Sequence, residues 1–336
     1  MKLSAGKQKG LEAVATDRGV IAALAIDQRD ALRKLFAKAS GKLPEEVPSE
    51  SLIEFKEHVS RVLTPRASAI LLDPEYGLPA ALARAKNAGL LLAYEKTGYD
   101  RSVRGRLPSL LDSFSVARLR EAGADGVKVL LYYSPFSDSA INAGKHAWVE
   151  RVGAECVAAD IPFFLEMVGY HDEMDEKSPD FARIKPSVVT LSIQEFSKPR
   201  YFVDVLKVGV PVNMTFVESA RLPRSQSIHS REEARAHFRR ASDAATRPFI
   251  YLSEGVSNQT FAEALTLAAE ANSAFSGVLC GRAIWQEGVP VFVEQGAAAL
   301  DEWLYGEGLR NIEIVNALLE AAHPWYERFS VSTGKG

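Results

Sequence analysis

Charged residues interrupt three consecutive apolar segments of this chain. Lys128 lies in GVKVLLYY, Glu166 in IPFFLEMV and Lys207 in VDVLKVGVP. A charged side chain in a buried segment is costly unless it is paired, so each needs a reason. One reason is a structural ion network that fixes the register of the segments. The other is catalysis, because a lysine desolvated near another cation has a lowered pKa and attacks carbonyl groups as a free amine.

Two lysines and one glutamate on consecutive segments favour the catalytic interpretation. An amine that adds to a ketone forms an imine, and a carboxylate beside it can move the protons of imine formation and carbon–carbon cleavage. This is Schiff-base chemistry. On these grounds Lys128 and Lys207 are equally good candidates for the nucleophile.

The three segments belong to a series of eight short apolar runs that end in glycine or polar residues. The runs cover residues 20–27, 67–73, 89–95, 126–133, 161–168, 203–211, 248–256 and 275–285. Periodicity alone would also allow buried helical segments, but the short lengths and the flanking Gly and Pro favour buried parallel strands. Amphipathic spacing predicts helices between them, at residues 51–63, 115–122, 147–159, 231–245 and 260–271.

Eight strands that alternate with helices predict an α/β protein, a (β/α)₈ TIM barrel with extra N- and C-terminal helices. The predicted ranges are one domain over 1–336, barrel strands over about 20–285, and flanking helices at 1–19 and 290–330, the last of them at 311–322. A doubly wound open sheet is the alternative, but no G-x-G-x-x-G follows the first strand. In a barrel the C-terminal strand ends meet, and active sites lie there.

The last two strand ends indicate an anionic substrate. Ser253 and Gly255 follow the seventh strand, and Gly281 and Arg282 follow the eighth, where barrels often bind phosphate. Glycines let backbone N–H groups approach an anion, and an arginine adds a fork of donors. Each glycine alone would also fit ordinary turn chemistry. The arginine directly after Gly281 favours the phosphate site.

Composition excludes several classes of protein. The 336 residues carry 40 Lys+Arg and 43 Asp+Glu, a net charge of −3, without a basic block. This argues against nucleic-acid and membrane partners. Two cysteines cannot form a disulfide framework. The polar first residues and the lack of a run of about 20 apolar residues predict a cytoplasmic protein.

Metal chemistry is not expected from the sequence. None of the six histidines lies in a predicted strand, and no H-E-x-x-H motif is present. Asp73-x-Glu75 is a weak match to a magnesium site.

The chain as a whole resembles the bacterial class I, metal-independent tagatose 1,6-bisphosphate aldolases. The resemblance runs from about residue 20 to residue 285 in eight ordered blocks. The blocks are ALAIDQR, ILLDPEYGLPA, GLLLAYEKTGYD, VKVLLYY, ECVAADIPFFLE, DVLKV-x-VPVN, IYLS-x-GVS and GVLCGRA-x-W. The family's fold is the same barrel that the strand count predicts.

The resemblance also implies roles for single residues. It implies that Lys207 is the Schiff-base lysine, Glu166 the general acid/base, and Lys128 a cation that polarises and positions the substrate. Asp27 and Gln28 would contact the sugar hydroxyls or the amine. The phosphate nearest the ketone would bind at residues of the last two strand ends, namely Ser253, Gly255, Gly281 and Arg282. Arg29 would take the distal phosphate.

Two positions depart from the family pattern. Gly209 stands where the family's KVEVP motif has an acidic residue, and Glu254 stands where its LSAGV motif has a small one. Either the two residues exchange places or the site accepts a different sugar.

The resemblance implies reversible cleavage of tagatose 1,6-bisphosphate to dihydroxyacetone phosphate and glyceraldehyde 3-phosphate, through an imine and without a cofactor. An aldolase for a ketose 1-phosphate or a sulfonated ketose is the first alternative. A non-catalytic sensor of sugar phosphates is the second, although a sensor would need only the phosphate contacts. The partner is a small sugar phosphate. The terminal helices could also support a homo-oligomer, but an amphipathic helix packed on its own barrel has the same pattern.

Overall fold

Eight parallel strands form a closed barrel in the order of the chain, with β8 paired back to β1. The computed structural model describes residues 3–97, 103–218 and 227–329. The strands are β1 Ile21–Ala25, β2 Ala69–Leu72, β3 Gly89–Ala93, β4 Gly126–Tyr133, β5 Phe163–Gly169, β6 Val205–Val208, β7 Phe249–Tyr251 and β8 Gly277–Cys280. The predicted (β/α)₈ barrel is confirmed.

Helices surround the barrel and fill the connections between its strands. They are α1 Ala5–Ala13, α2 Asp30–Ser40, α3 Ser49–Leu63, α4 Leu78–Ala83, α5 Val116–Glu121, α6 Ser139–Ala158, α7 Pro179–Phe196, α8 Arg231–Ala244, α9 Asn258–Glu270, α10 Arg282–Trp285, α11 Gly288–Trp303 and α12 Leu309–Leu318. Serine hydroxyls cap α5, α7, α8 and α9 by accepting a backbone N–H of the first turn. No helix in these described ranges has the length and apolarity to cross a lipid bilayer.

Several predicted boundaries are wrong by a few residues. The predicted strand at 275–285 ends at Cys280, because Gly281 leaves the extended conformation and α10 begins at Arg282. The helix predicted at 147–159 begins earlier, at Ser139, where the Asp138 carboxylate caps it. The N-terminal helix covers only Ala5–Ala13 of the predicted 1–19. Residues 1, 2 and 330 of the predicted flanking helices lie outside the described residues.

Alternate residues of each strand point into the barrel, and the lower inward positions are apolar. Phe164 on β5 and Val205 on β6 belong to this inner apolar core. Because side chains alternate along a strand, the next inward positions are Glu166 and Lys207, which face each other in the register of β5 and β6. A charged layer therefore lies above the apolar one, at the C-terminal end of the barrel.

The opposite end of the barrel is closed by both terminal segments of the described chain. Leu11 and Val14, from α1 and the turn after it, pack into the inner core together with Trp325 and Phe329. These four side chains keep water out below the charged layer.

Candidate active site

Lys128 lies at the centre of the charged layer. Its Nζ is 2.7 Å from each of three carboxylate oxygens, Asp27 Oδ2, Glu95 Oε1 and Glu166 Oε2, and its side chain is fully buried. Burial alone would lower the pKa of Lys128, but the three carboxylates outweigh it and raise that pKa well above 10.5. The expectation of a lowered lysine pKa is therefore wrong for Lys128, which is held as an ammonium ion.

Lys207 and Lys128 share one carboxylate oxygen. Lys207 Nζ is 2.9 Å from Glu166 Oε2, the same atom that contacts Lys128. Burial would raise the pKa of Glu166, but Lys128 and Lys207 together lower it, so this side chain is a carboxylate at neutral pH. A proton acceptor thus touches both candidate amines.

Asp27 and Gln28 follow β1 and lie next to this cluster. Burial would raise the pKa of Asp27, and the attraction of Lys128 and Lys207 lowers it instead. Gln28 Nε2 donates to Asp27 Oδ1 at 3.2 Å. Gln28 Oε1 is buried and accepts no hydrogen bond from the described residues. A buried acceptor of this kind needs a partner, and a hydroxylated ligand can provide one.

Glu95 joins the cluster although the sequence interpretation gave it no role. It lies two residues beyond the end of β3 on the inward side, and one of its carboxylate oxygens binds Lys128. Burial raises the pKa of Glu95, and the neighbouring Asp27 raises it further. Its other oxygen, Oε2, is also buried without a hydrogen bond from any described residue. The available signal was its position in the sequence, because Glu95 ends the apolar run at 89–95 just as Asp27 ends the run at 20–27.

Arg29 is buried and already has partners. It forms an ion pair with Glu75, and its Nη2 donates to the backbone oxygen of Glu95 at 2.7 Å. Asp73 forms an ion pair with the buried Lys56. Both carboxylates of the Asp73-x-Glu75 motif are thus engaged by cations of the chain.

The ends of β7 and β8 bring the predicted phosphate residues together. A Cβ atom on Gly255, which has φ +75°, would lie 2.6 Å from the Arg282 guanidinium, so the arginine covers this glycine. A Cβ on Gly281 would lie 2.2 Å from the Ala25 oxygen, so only glycine fits there. Ser253 is buried, and its side chain lies beside the Cys280 thiol. The Arg282 guanidinium forms no hydrogen bond or ion pair with any described residue, which leaves it available to an anion.

No group of three or more His, Cys, Asp and Glu side chains placed to hold a metal ion occurs in the described ranges. The cation at the centre of the site is the ammonium of Lys128.

Fold and site together define a class of enzyme. A buried cluster of amines and carboxylates at the C-terminal end of a (β/α)₈ barrel is suited to carbonyl chemistry, and aldolases carry out such chemistry. Residues 21–287 match the family model described as DeoC/LacD family aldolase. The chain belongs to this family of aldolases, which are carbon–carbon lyases.

Individual relatives cover almost the whole chain. A protein of Enterococcus faecalis named tagatose 1,6-diphosphate aldolase 2 is 51% identical over 99% of this chain and 100% of its own length. One of Listeria innocua named tagatose 1,6-diphosphate aldolase is 47% identical, over 98% of this chain and 96% of its own. Among solved structures, a fructose-bisphosphate aldolase of Plasmodium falciparum has the same fold, with a TM-score of 0.68 at 13% identity over 96% of this chain and 97% of its own.

Proposed function

We propose that this protein is a class I aldolase that reversibly cleaves tagatose 1,6-bisphosphate to dihydroxyacetone phosphate and glyceraldehyde 3-phosphate. The observation that carries the mechanism is the contact of one Glu166 oxygen with both Lys207 and Lys128, at 2.9 and 2.7 Å. Tagatose 1,6-bisphosphate as the substrate is supported by the names of the relatives from Enterococcus faecalis and Listeria innocua, which match this chain over nearly their whole lengths.

Lys207 is the proposed nucleophile. Three carboxylates surround Lys128, which makes loss of its proton very unfavourable. Lys207 contacts a single carboxylate oxygen among the described residues, and it shares that oxygen with Lys128. This difference in charge environment supports Lys207 as the amine and Lys128 as the permanent cation that polarises the substrate.

Glu166 is the proposed general acid/base. Lys207 Nζ adds to the ketone carbon, and loss of water gives an iminium ion. The Glu166 carboxylate then takes the proton of the C4 hydroxyl, and the electron pair of the C3–C4 bond moves into the iminium. This leaves an enamine and releases glyceraldehyde 3-phosphate. Protonation of the enamine carbon and hydrolysis of the iminium release dihydroxyacetone phosphate and restore the amine.

Substrate binding is assigned to the remaining predicted residues. Asp27 and Gln28 contact the hydroxyl groups, a role supported by the unpaired buried oxygen of Gln28. The phosphate nearest the ketone binds at the last two strand ends, through Arg282 and the residues around it, namely Ser253, Gly255 and Gly281. Arg29 is the candidate for the distal phosphate.

The reaction is proposed to need neither metal nor other cofactor. The support is chemical: the ammonium of Lys128 occupies the centre of the carboxylates of Asp27, Glu95 and Glu166. Action in the cytoplasm is also proposed, where the buried free thiols Cys156 and Cys280 would stay reduced. Assembly into a homo-oligomer is proposed as well, and the mass of the protein in solution tests it.

Borohydride reduction followed by intact mass spectrometry tests the mechanism. With dihydroxyacetone phosphate present, we expect one covalent adduct, mapped by proteolysis to Lys207. Lys207→Met should lose both the adduct and cleavage in a coupled assay. An adduct on Lys128 would keep the class of reaction and reverse the two roles. A Lys207→Met variant with full cleavage activity would refute the assignment.

A ketose 1-phosphate is the second candidate substrate. It is favoured by the engagement of Arg29 with Glu75 and the Glu95 backbone, because a distal phosphate would have to displace Glu75. The ratio of kcat/KM for tagatose 1,6-bisphosphate and for tagatose 1-phosphate decides between them. A ratio above one supports the bisphosphate, and a ratio below one supports the monophosphate.

A further inference from the structure

A partly buried ion pair joins helix α7 to the loop after β7. Lys185 Nζ, on α7, is 2.5 Å from Glu254 Oε2 and 3.5 Å from the backbone oxygen of Val212. Only 10% of the Lys185 side chain and 27% of the Glu254 side chain are exposed. Neither residue contacts the Lys128 cluster through an ion pair, so the pair is separate from the groups that carry the reaction.

The Glu254 carboxylate also covers the end of β6. A Cβ atom on Gly209 would lie only 2.3 Å from Glu254 Oε1, so this carboxylate occupies the space of a side chain at position 209. Gly209 is two residues beyond Lys207. The pair of Lys185 and Glu254 therefore connects three elements: helix α7, the segment after the lysine strand, and the loop after β7.

The backbone of this loop is in an unfavourable conformation. Glu254 has φ +51° and Gly255 has φ +75°, so two consecutive residues are left-handed. Glycine adopts this conformation freely, but a glutamate does so at a cost. The carboxylate of this glutamate is the one that Lys185 holds. Ser253 precedes this turn, and the Arg282 guanidinium lies against Gly255.

We propose that Lys185 is a positioning residue for phosphate binding. By holding the Glu254 carboxylate, it keeps the turn at residues 253–255 in the conformation that presents its backbone N–H groups and Arg282 to the phosphate nearest Lys207. This inference rests on the proposed function, since it concerns the phosphate of the same substrate. Displacement of a binding group by about an ångström is enough to cost one to two orders of magnitude in function.

A pair of probes that differ only in the phosphate isolates this role. Imine formation at Lys207, trapped with borohydride, is measured against the concentration of dihydroxyacetone phosphate and of dihydroxyacetone. In Lys185→Met and Glu254→Gln we expect the half-saturating concentration of dihydroxyacetone phosphate to rise about tenfold. The value for dihydroxyacetone should not change. Lys185→Arg, which keeps the charge, should retain most of the affinity.

A second test moves the carboxylate from position 254 to position 209, because side chains at these two positions would occupy the same space. Gly209→Glu alone would place two carboxylates in one space and should weaken binding of the phosphorylated probe. Glu254→Gly alone relieves the backbone but leaves Lys185 without its partner, so it should also weaken binding. The double variant Gly209→Glu/Glu254→Gly restores a carboxylate near Lys185, and we expect it to bind better than either single variant.

The outcomes separate this inference from the proposed function. If Lys185→Met changes neither probe, or weakens both equally, the inference is overturned. The Kd of inorganic phosphate, measured by calorimetry, gives the same decision without an imine: a rise of about tenfold in Lys185→Met supports the inference, and an unchanged value refutes it. A native protein that forms no imine with either probe would refute the proposed function alone, because the phosphate titration still decides the role of Lys185.

Discussion

At the scale of single residues, Lys128 determines the charge state of the site. An isolated buried ammonium would lose its proton, but Lys128 has three carboxylates at 2.7 Å and keeps it. In return it keeps Asp27 and Glu166 ionised, because its attraction lowers the pKa of both carboxyl groups. One buried cation thus keeps the Glu166 carboxylate, which also contacts Lys207, in its ionised form.

Replacing this cation should reverse the pH dependence of stability. In the native protein the lowered pKa values of Asp27 and Glu166 contribute stability above about pH 4, and this contribution is lost as the pH falls further. In Lys128→Met burial dominates and raises the carboxyl pKa values, so stability should increase from pH 7 toward pH 5. The free energy of unfolding, from urea titrations at each pH, checks this.

Lys34→Met, at an exposed position of α2, is the control for the loss of a lysine. Parallel pH profiles for native protein and Lys128→Met would contradict the prediction.

Glu166→Gln tests the proton transfer. An amide cannot take the C4 hydroxyl proton, so we expect cleavage to fall by about 10²- to 10⁴-fold. The amine of Lys207 remains, so prolonged incubation with dihydroxyacetone phosphate and borohydride should still label it. The coupled cleavage assay and intact mass provide the two readouts, with Glu121→Gln at an exposed position as the control. Unchanged cleavage by Glu166→Gln would remove the residue from the mechanism.

At the scale of elements, the strand ends bring together residues that are distant in sequence. Strands of three to eight residues place Phe164 and Glu166, or Val205 and Lys207, on the same inward side. The lower residue of each pair fills the barrel, and the upper one reaches the site. The segment that follows the last strand also contacts the first strand, because α10 begins two residues after β8 ends. Trp285 Nε1 on α10 donates to the Ala25 oxygen of β1 at 2.9 Å.

Gly281→Ala should disturb this junction. The new Cβ would lie 2.2 Å from the Ala25 oxygen, and we expect a loss of about 1–3 kcal/mol in the free energy of unfolding. The KM for the phosphorylated substrate should rise as well, because the next residue, Arg282, is the proposed phosphate ligand and would be displaced together with Gly281. Gly144→Ala is the matched control: nothing lies within 4 Å of its Cβ position on α6, and a gain of about 0.5–1 kcal/mol is expected. Equal stability of the two variants would refute the argument.

At the scale of the whole molecule, the terminal segments complete the barrel. Leu11 and Val14 from the N-terminal side, and Trp325 and Phe329 from the C-terminal side, pack in the same inner core as the strand residues. We therefore propose that residues 1–336 form one cooperative domain, since neither terminal segment can leave without exposing this core to water.

Trp325→Ala tests this closure. The side chain is 5% exposed, and its loss should cost about 3–5 kcal/mol in the free energy of unfolding. Far-UV and near-UV circular dichroism should report the same unfolding transition in both proteins. Leu82→Ala, at a position that is 88% exposed, should change stability by less than about 0.5 kcal/mol. Separate transitions for the two signals would show that the terminal segments unfold independently.

Much of the architecture and the residue types of the site were determined by the sequence alone. The eight apolar runs predicted the barrel, and the charged residues within consecutive runs, Lys128, Glu166 and Lys207, predicted a site at its C-terminal end. These are local properties, since hydrophobicity, backbone preference and alternation depend on residues close in the chain. The exact strand ends were less accessible, because charged residues such as Asp27 and Glu95 continue the inward pattern beyond the last paired residue.

Only the tertiary structure decided which charges meet. From sequence, Lys128 and Lys207 were equivalent, and the expected fall in a lysine pKa was wrong for Lys128. The difference arises because β1, β3 and β5 bring Asp27, Glu95 and Glu166 to one ammonium. Coulomb energies depend on distances in space, and these distances exist only after the barrel has closed.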